Sequence, residues 1–469
     1  MKTLSFLKQL KVMVLVVPIF LSSTLSQAQE ITGQWNGLLS PIPGTRLRIV
    51  IHITKSDDGY TSTMDSPDQG VSGIAVATTT FEYPKLTLSV PNSGLSYEGE
   101  FKTDSIVGTF KQGALSVPLT LTRTPQEVNN RPQEPKPPYL YRSEEVTFEN
   151  NTAGITLAGT LTMPATGANF TAVILITGSG PQNRDEELMG HKPFLVIADY
   201  LTRNGIAVLR YDDRGTAHST GNFATATTSD FATDAQSAIA YLKTRPEINP
   251  LKIGLMGHSE GGAIAPMVAA QSNEVGFIIM LAGPGVRGDR LLILQEEAVF
   301  STAGMPQEMV KETIQINARV FEKIVQAESM VTPHDIIEFM TEMKSDIEKI
   351  VPQGVSANDY IQKMAIDVCS PWMFYFLRYD PAPTLEKVKC PVLAVNGSKD
   401  VQILAKENLT AISAALKKGG NSAVTIMEFS NLNHLFQECI TGSPAEYALI
   451  EQTFSPEVLK YLNDWILQQ

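Results

Sequence analysis

The sequence predicts an α/β domain with a mostly parallel sheet flanked by helices, preceded by a small all-β domain. Three observations support this order. The first part of the chain alternates apolar and polar residues, a proline-rich stretch follows, and unbroken apolar runs separated by helical stretches make up the rest. Period-two alternation is typical of half-buried strands, whereas unbroken runs are typical of strands that a parallel sheet buries on both faces.

Residues 1–28 have the pattern of a signal peptide. A basic region with Lys2, Lys8 and Lys11 precedes an apolar run at 12–21. The sequence Ser26-Gln27-Ala28 then resembles a cleavage site. The apolar run 12–21 is too short to cross a bilayer, since a spanning helix takes about 20 residues. We therefore expect a periplasmic or secreted protein with no membrane span after signal removal. An uncleaved anchor is the alternative.

Charge and cysteine content exclude several classes of protein. The 469 residues carry 37 Lys and Arg against 49 Asp and Glu, a formal net charge of −12. An acidic surface repels phosphate backbones, so we expect no nucleic-acid partner. The three cysteines, Cys369, Cys390 and Cys439, are too few for a disulfide scaffold or a zinc finger.

The segment 30–124 is predicted to form the all-β domain. Leu47, Ile49, Ile51 and Ile53 alternate with other residues and share one face of a strand. Turn residues recur about every ten positions, which predicts a meander closed into a sandwich or small barrel. Trp35 is expected to fill one end of its core. Whether this domain is only structural or binds a ligand stays open.

A proline-rich linker, 125–138, separates this domain from an α/β domain at 139–469. The predicted strands of the second domain lie at 171–176, 205–210, 253–256, 276–281 and 391–395, and helices are predicted at 192–204, 230–244 and 262–271. Alternating strands and helices indicate a parallel sheet with helices on both faces. Residues at about 285–385 far exceed a normal connection and predict a helical cap. Its segment 371–377 either lines an acyl pocket or packs the cap onto the core.

The sequence Gly257-His258-Ser259-Glu260-Gly261 lies between a predicted strand and a predicted helix. This is the arrangement of a nucleophile elbow, a turn so tight that the residues two before and two after the serine must be small. The turn presents the Ser259 hydroxyl above the sheet, so Ser259 is the predicted nucleophile. His258 is expected to pack locally.

His434 is the predicted general base, because it follows the strand-like run 424–429 at the edge of the sheet where ligands bind. His334, the other histidine after Ser259, lies at a predicted helix start. Asp400 is the predicted orienting carboxylate, because it closely follows the strand 391–395. Asp380 is the alternative, although a turn role suits it better. The order Ser259, Asp400, His434 is that of α/β hydrolases.

An oxyanion hole needs two donors near the attacked carbonyl. One is predicted to be the backbone N–H of Glu260, directly after the nucleophile. The other is predicted to be the backbone N–H of Ser179, in the loop Thr177-Gly178-Ser179-Gly180, although that loop can also be a plain turn.

Residues from about 140 onward resemble the α/β-hydrolase superfamily, and more narrowly a branch of exported or thermophilic bacterial esterases. The resemblance rests on the motifs at 178–185, 211–221 and 257–261, with Ser370-Pro371-Trp372 and Tyr379-Asp380-Pro381 further on. It implies hydrolysis of short to medium acyl or aryl esters through an acyl-enzyme. Two residues depart from the pattern. Thr177 stands where many relatives of the wider superfamily have His, and Ala217 replaces a glycine.

We expect no cofactor and no metal, because the histidines are isolated and no paired metal-ligand spacing occurs. The expected partner is a small-molecule ester. Three alternatives remain: a serine peptidase or a thioesterase on the same fold, and a non-catalytic binding protein on a hydrolase scaffold. The peptidase is disfavoured, since about 95 residues cannot build the large propeller of prolyl-oligopeptidase relatives.

Overall fold

The computed structural model describes residues 31–40, 47–56, 59–67, 71–90, 94–112, 115–125, 131–351 and 355–469. The predicted signal peptide, part of the predicted linker and several predicted turns lie outside the described residues. Within the described ranges, no helix combines the length and the apolar character needed to cross a membrane.

The all-β domain is a closed barrel of eight antiparallel strands, each paired with its neighbour in sequence. Pairing of Asn36 with Thr122 and of Gly37 with Leu121 joins the first strand to the last. The strands are β1 (Gly33–Leu39), β2 (Leu47–Ser56), β3 (Gly59–Ser66), β4 (Val71–Glu82), β5 (Lys85–Val90), β6 (Leu95–Lys102), β7 (Ser105–Gln112) and β8 (Leu115–Thr122). Of the two closures that the turn spacing predicted, the structure therefore has the barrel.

Side chains fill the barrel interior. Ile49, Ile51 and Ile53 of β2 are buried, as their period-two spacing predicts. Trp35 is buried as predicted, with its indole N–H donating to the Ile31 carbonyl at 2.7 Å. Tyr97 is also buried, and its hydroxyl lies 3.0 Å from the carbonyl oxygen of Ile106. The interior is thus a packed core, which favours the structural role for this domain over a ligand-carrying one.

The second domain is built on an eight-stranded mixed sheet in the order β16-β15-β14-β13-β11-β12-β10-β9. Pairing is parallel from β11 to β16, whereas β10 runs antiparallel to both β9 and β12. The strands are β9 (Arg142–Asn150), β10 (Ile155–Met163), β11 (Phe170–Ile176), β12 (Ala207–Tyr211), β13 (Ile248–His258), β14 (Phe277–Leu281), β15 (Val392–Gly397) and β16 (Val424–Phe429). This is the predicted α/β-hydrolase fold.

Helices cover both faces of this sheet, and a separate apolar core lies on each side. The flanking helices are α1 (Pro193–Arg203), α2 (Thr228–Lys243), α3 (Gly261–Ala269), α11 (Ala405–Lys418) and α12 (Pro456–Ile466), and the helices between α3 and α11 in the chain form the cap. Strands buried on both faces need apolar residues at every position, which explains the unbroken runs in the sequence.

The predicted helical cap is present, with its own apolar core. It contains α4 (Gly288–Thr302), α5 (Gln307–Gln326), α6 (Pro333–Thr341), α7 (Lys344–Ile350), α8 (Ala357–Val368), α9 (Pro371–Arg378) and α10 (Ala382–Leu385). The sequence predicts a single amphipathic helix from the spacing of Ile336, Met340, Met343, Ile347 and Ile350. This prediction is wrong, because the run is divided between α6 and α7. A turn closed by the Met343 N–H on the Met340 carbonyl separates α6 from α7, yet it keeps the apolar side chains on the buried side.

The end of the linker is bound to the second domain through the side chains of Arg131, Gln133 and Glu134, the last accepting from the Lys192 N–H at 3.1 Å. Arg131 donates to the carbonyls of Met189, Gly190, Ala448 and Ile450. The Gln133 amide accepts from the Thr453 N–H at 2.7 Å and donates to the Phe454 carbonyl at 2.6 Å, as a strand neighbour would. Residues 131–134 therefore lie against the loop before α1 and against the segment before α12.

Candidate active site

Ser259 lies on a tight turn between β13 and α3 with a backbone φ of 52°. This is the left-handed region, which non-glycine residues rarely adopt and which is a source of strain at functional sites. The Ser259 N–H donates to the Leu281 carbonyl at 2.9 Å, and its own carbonyl accepts from the Gly262 N–H at 2.8 Å. The turn therefore has the geometry of a nucleophile elbow.

Glycine is required on both sides of this turn. A Cβ on Gly257 would lie 1.9 Å from the Gly261 carbonyl oxygen, and one on Gly261 would lie 2.2 Å from the Ile176 carbonyl oxygen. Both distances are far below van der Waals contact, and both partners are backbone atoms that cannot rotate away. The steric requirement predicted for this motif is met.

His434 and Asp400 form a buried hydrogen-bonded pair. The His434 Nδ1 lies 2.8 Å from the Asp400 Oδ2. The other carboxylate oxygen of Asp400 accepts from the backbone N–H groups of Gln402 and Ile403, at 2.8 and 2.9 Å. Because Asp400 holds Nδ1–H, the Nε2 atom of His434 is the one left for a reacting partner.

The rejected alternatives occupy structural positions. His334 is exposed at the start of α6, where Thr332 and Asp335 form a reciprocal cap. Asp380 closes a turn, with its carboxylate accepting from the Ala382 N–H at 3.0 Å.

One cavity of about 190 Å³ brings the predicted residues together. Ser259, His434, Ser179 and Glu260 all line it, and Asp400 lies directly behind His434. Its cap-side wall comes from α4 and α9 and is mostly apolar, with Leu291, Leu292, Trp372 and Phe376 beside the polar Gln295. Trp372 and Phe376 stack with ring centroids 4.9 Å apart. Part of the aromatic segment 371–377 therefore faces the cavity.

The two residues predicted to supply the oxyanion donors, Ser179 and Glu260, both line the cavity beside Ser259. Within the described part of the chain, neither the Ser179 N–H nor the Glu260 N–H donates to a protein acceptor. The neighbouring Gly178 N–H is already used, since it donates to the Glu186 carboxylate at 2.8 Å. The Glu260 N–H is the first amide after the nucleophile and precedes α3, at the positive end of the helix dipole.

The side chain of Glu260 connects the elbow to the cap. Its Oε1 accepts from the Trp372 indole N–H at 2.8 Å and from the Thr228 hydroxyl at 2.6 Å. Burial raises the pKa of the Glu260 carboxyl, and the hydrogen bonds from Thr228, Trp372 and Ser179 only partly offset this. The sequence analysis assigned a role to the backbone of Glu260 and missed its side chain.

The buried carboxylates Asp212 and Asp213 bind the motif at 211–221 to the motif at 178–185 and to the neighbouring Thr177. Arg184 makes a bidentate contact with Asp212, with its Nε 3.0 Å from Oδ1 and its Nη2 2.7 Å from Oδ2. Asp213 accepts from the Thr177 hydroxyl at 2.7 Å and from the Gln182 N–H at 2.9 Å. Thr177, a departure from the family pattern, thus holds a buried carboxylate whose pKa burial raises well above its usual value.

Glu186 and His258 are two further buried residues at the site. The Glu186 Oε1 lies 2.9 Å from the His258 Nδ1, and the His258 Nε2 lies 2.9 Å from the His434 carbonyl oxygen. The prediction that His258 packs locally is therefore incomplete, because its ring contacts the loop of the predicted base. Glu186 was missed, although it directly follows the motif at 178–185.

No candidate metal centre accompanies this site. Among the residues that the structure describes, no group of three or more His, Cys, Asp or Glu side chains is arranged to hold a metal ion.

The chain is similar to one family of serine hydrolases and to one named esterase. The family model for serine aminopeptidases of the S33 type matches residues 192–352. Esterase EstD of Thermotoga maritima is 27% identical over 301 residues, which cover 62% of this chain and 61% of EstD. The chain thus matches less than two thirds of the length of this relative.

Solved structures are similar at lower identity. The esterase Pf2001 of Pyrococcus furiosus is 16% identical with a TM-score of 0.41, covering 74% of this chain and 99% of that one. Est1E of Butyrivibrio proteoclasticus, solved with ferulic acid, is 17% identical with a TM-score of 0.40, covering 69% of this chain and 98% of that one.

Proposed function

We propose that the protein is a serine hydrolase that cleaves carboxylic esters of short to medium acyl or aryl acids. The observation that carries the proposal is the strained elbow serine, Ser259, in one cavity with His434, whose Nδ1 is held by Asp400 at 2.8 Å. The name of the relative EstD and the S33 family match support the same class of chemistry.

The mechanism proceeds through an acyl-enzyme. The Ser259 Oγ attacks the ester carbonyl as the His434 Nε2 takes its proton. The N–H groups of Ser179 and Glu260 bind the negative oxygen of the tetrahedral intermediate. When the C–O bond to the alcohol breaks, His434 returns the proton to the leaving alkoxide. Water then attacks the acyl-enzyme by the same steps and releases the acid.

The lining of the cavity favours an ester over a peptide with a free amino terminus. An aminopeptidase needs an uncommitted carboxylate to bind the α-ammonium group of its substrate. The carboxylates that line the cavity, Glu186 and Glu260, are both buried and already accept hydrogen bonds within the protein. The mostly apolar wall formed by α4 and α9 suits an uncharged acyl or aryl group instead.

The test is hydrolysis of p-nitrophenyl acetate, butyrate and octanoate by the mature protein and by Ser259→Ala. Ser301→Ala, an exposed serine on α4, is the matched control. We expect the Ser259 variant to lose at least 10³-fold in kcat and the control to keep its activity. Hydrolysis of an alanine p-nitroanilide with no hydrolysis of any ester would replace the esterase by a peptidase. A folded protein inactive on both substrate classes would contradict the proposal, and thioesters and binding would then be examined.

We also propose that the protein is exported, with cleavage after Ala28. The support is the basic start and the short apolar run of residues 1–28. Amino-terminal sequencing of the protein from the periplasm or the medium should begin at Gln29. An intact amino terminus in the membrane fraction would indicate an anchor instead.

A further inference from the structure

The side chains of Glu186 and His258 connect the backbone of Gly178 to the backbone of His434 in the candidate site. The Glu186 Oε1 accepts from the Gly178 N–H at 2.8 Å and from the His258 Nδ1 at 2.9 Å. On the other side of the ring, the His258 Nε2 donates to the His434 carbonyl at 2.9 Å. The chain of contacts therefore runs from the loop of the oxyanion donor Ser179 to the backbone of the base.

The hydrogen-bond partners define the charge of His258. Its two nitrogens face a carboxylate oxygen that already accepts a backbone N–H and a carbonyl oxygen that can only accept. With Glu186 ionised, both ring nitrogens carry hydrogen, which makes His258 an imidazolium. Burial lowers the pKa of His258, but Glu186, the His434 carbonyl and Asp400 together outweigh burial, and the net shift is upward. The other titratable groups facing His258 are Asp400 and the His434 ring, whose centroid lies 4.7 Å away.

The backbone at Glu186 is strained. Its φ is 51°, in the left-handed region, and its side chain is almost completely buried. The left-handed region is disfavoured for a residue with a Cβ, and glycine would adopt it without this strain. Strain of this kind persists where the surroundings over-determine it, and it clusters at active sites. A buried, strained glutamate beside the nucleophile elbow thus has a second feature typical of a functional residue.

We propose that Glu186 and His258 form a charged positioning pair that fixes the base, His434, relative to the oxyanion loop. The inference rests on the proposed esterase function. Neither residue reacts with substrate. The pair holds the Gly178 N–H on one side and the His434 carbonyl on the other, so the Ser179 donor and the His434 ring keep their separation during the reaction. Loss of the negative charge leaves His258 without its counter-ion, and a neutral ring has a single N–H. It can then donate to residue 186 or to the His434 carbonyl, but not to both.

The test compares the wild type with Glu186→Gln and with the control Glu187→Gln. Glu187 is the next residue in the same loop, but its side chain is 42% exposed and pairs with Lys192 at 3.7 Å. We expect Glu186→Gln to lower kcat by about 10- to 100-fold with KM nearly unchanged, because misplacement by about 1 Å costs about this much. The control should retain wild-type kcat and KM.

A double-variant cycle and a spectroscopic measurement complete the test. If the two residues act as one unit, Glu186→Gln combined with His258→Phe should be no slower than the slower single variant. Side-chain nitrogen-15 NMR of the wild type should show His258 doubly protonated at neutral pH, with the signal identified by its absence in His258→Phe. This measurement needs no folded Glu186 variant.

The outcomes separate the two proposals. An inactive wild-type enzyme would overturn the proposed function, and the positioning role with it. An active wild type with unchanged kcat in Glu186→Gln would overturn only the positioning pair. A neutral His258 in the wild type would also overturn the positioning pair. The pair would be overturned too if Glu186→Gln and Glu187→Gln showed the same rise in KM and the same fall in kcat.

Discussion

Replacement of Asp400 by asparagine is the sharpest test of the proposed triad, because the structure dictates how the amide must sit. The Asp400 Oδ1 accepts two backbone N–H groups, those of Gln402 and Ile403, at 2.8 and 2.9 Å. An asparagine NH₂ placed there would face two donors, so the amide oxygen must keep that position. The NH₂ group is then directed at the His434 Nδ1, where the carboxylate Oδ2 now accepts at 2.8 Å.

This orientation reverses the tautomer of the base. An NH₂ donor requires an unprotonated Nδ1, so the hydrogen of a neutral His434 moves to Nε2, the atom that must take the proton of Ser259. We expect kcat to fall about 10⁴-fold, as the same change does in serine proteases, which corresponds to about 5 kcal/mol in the barrier. KM should change little, because Asp400 lies behind His434 and does not line the cavity.

The assay is steady-state hydrolysis of p-nitrophenyl butyrate, with the melting temperature as a check on folding. Asp380→Asn is the matched control, since Asp380 was the alternative carboxylate and closes a turn at the Ala382 N–H. The control should stay within about twofold of the wild type. If Asp400→Asn kept more than a tenth of wild-type kcat, the tautomer reasoning would be refuted. Loss of activity in the control alone would move the orienting role to Asp380.

Two further predictions concern stability. His191 is fully buried between Tyr447 and Thr453, and burial, aided by Arg131, lowers its pKa to about 4 from 6.5. Between pH 6.5 and 4 this histidine is protonated in the unfolded chain but stays neutral in the folded protein. The free energy of unfolding should therefore fall by about 3 kcal/mol over this range. Denaturant midpoints at pH 7 and 4.5 should differ less in His191→Gln; an equal difference would contradict the assignment. Ala217 has a φ of 47°, where glycine is unstrained, so Ala217→Gly should stabilise the protein by about 0.5–1 kcal/mol. A lower melting temperature would show that no strain is relieved.

The sequence predicted the fold of the second domain well, because its strands and helices have strong periodic signals. The predicted strand at 171–176 and the predicted helix at 192–204 agree with β11 and α1 to within a residue or so. The antiparallel hairpin of β9 and β10 was not foreseen as separate strands. Exposed residues alternate with less exposed ones along β9, whereas β10 is buried at most positions. The two strands of the hairpin therefore have different patterns of apolar residues in the sequence.

Candidate site residues could be proposed from the sequence where a local motif or the end of a predicted strand indicates them. The elbow motif indicates Ser259, and the ends of predicted strands indicate Asp400 and His434, so all three could be named as candidates from the sequence. Glu186 and the Glu260 side chain could not, because their partners lie far away in sequence: His258 is 72 residues from Glu186, and Trp372 is 112 residues from Glu260. A buried glutamate has no periodic signature, and only tertiary structure shows what it contacts.

The contacts of Arg131 and Gln133 bear on how this protein can be divided. The prolines around them predicted a linker at 125–138 that separates two domains, with the second beginning at 139. Arg131 instead caps four backbone carbonyls of the second domain, and Gln133 pairs with the main chain at Thr453 and Phe454. A fragment that starts at 139 would leave those groups without these partners. The smallest fragment that keeps them begins at 131, so a recombination point between the two halves belongs before Arg131.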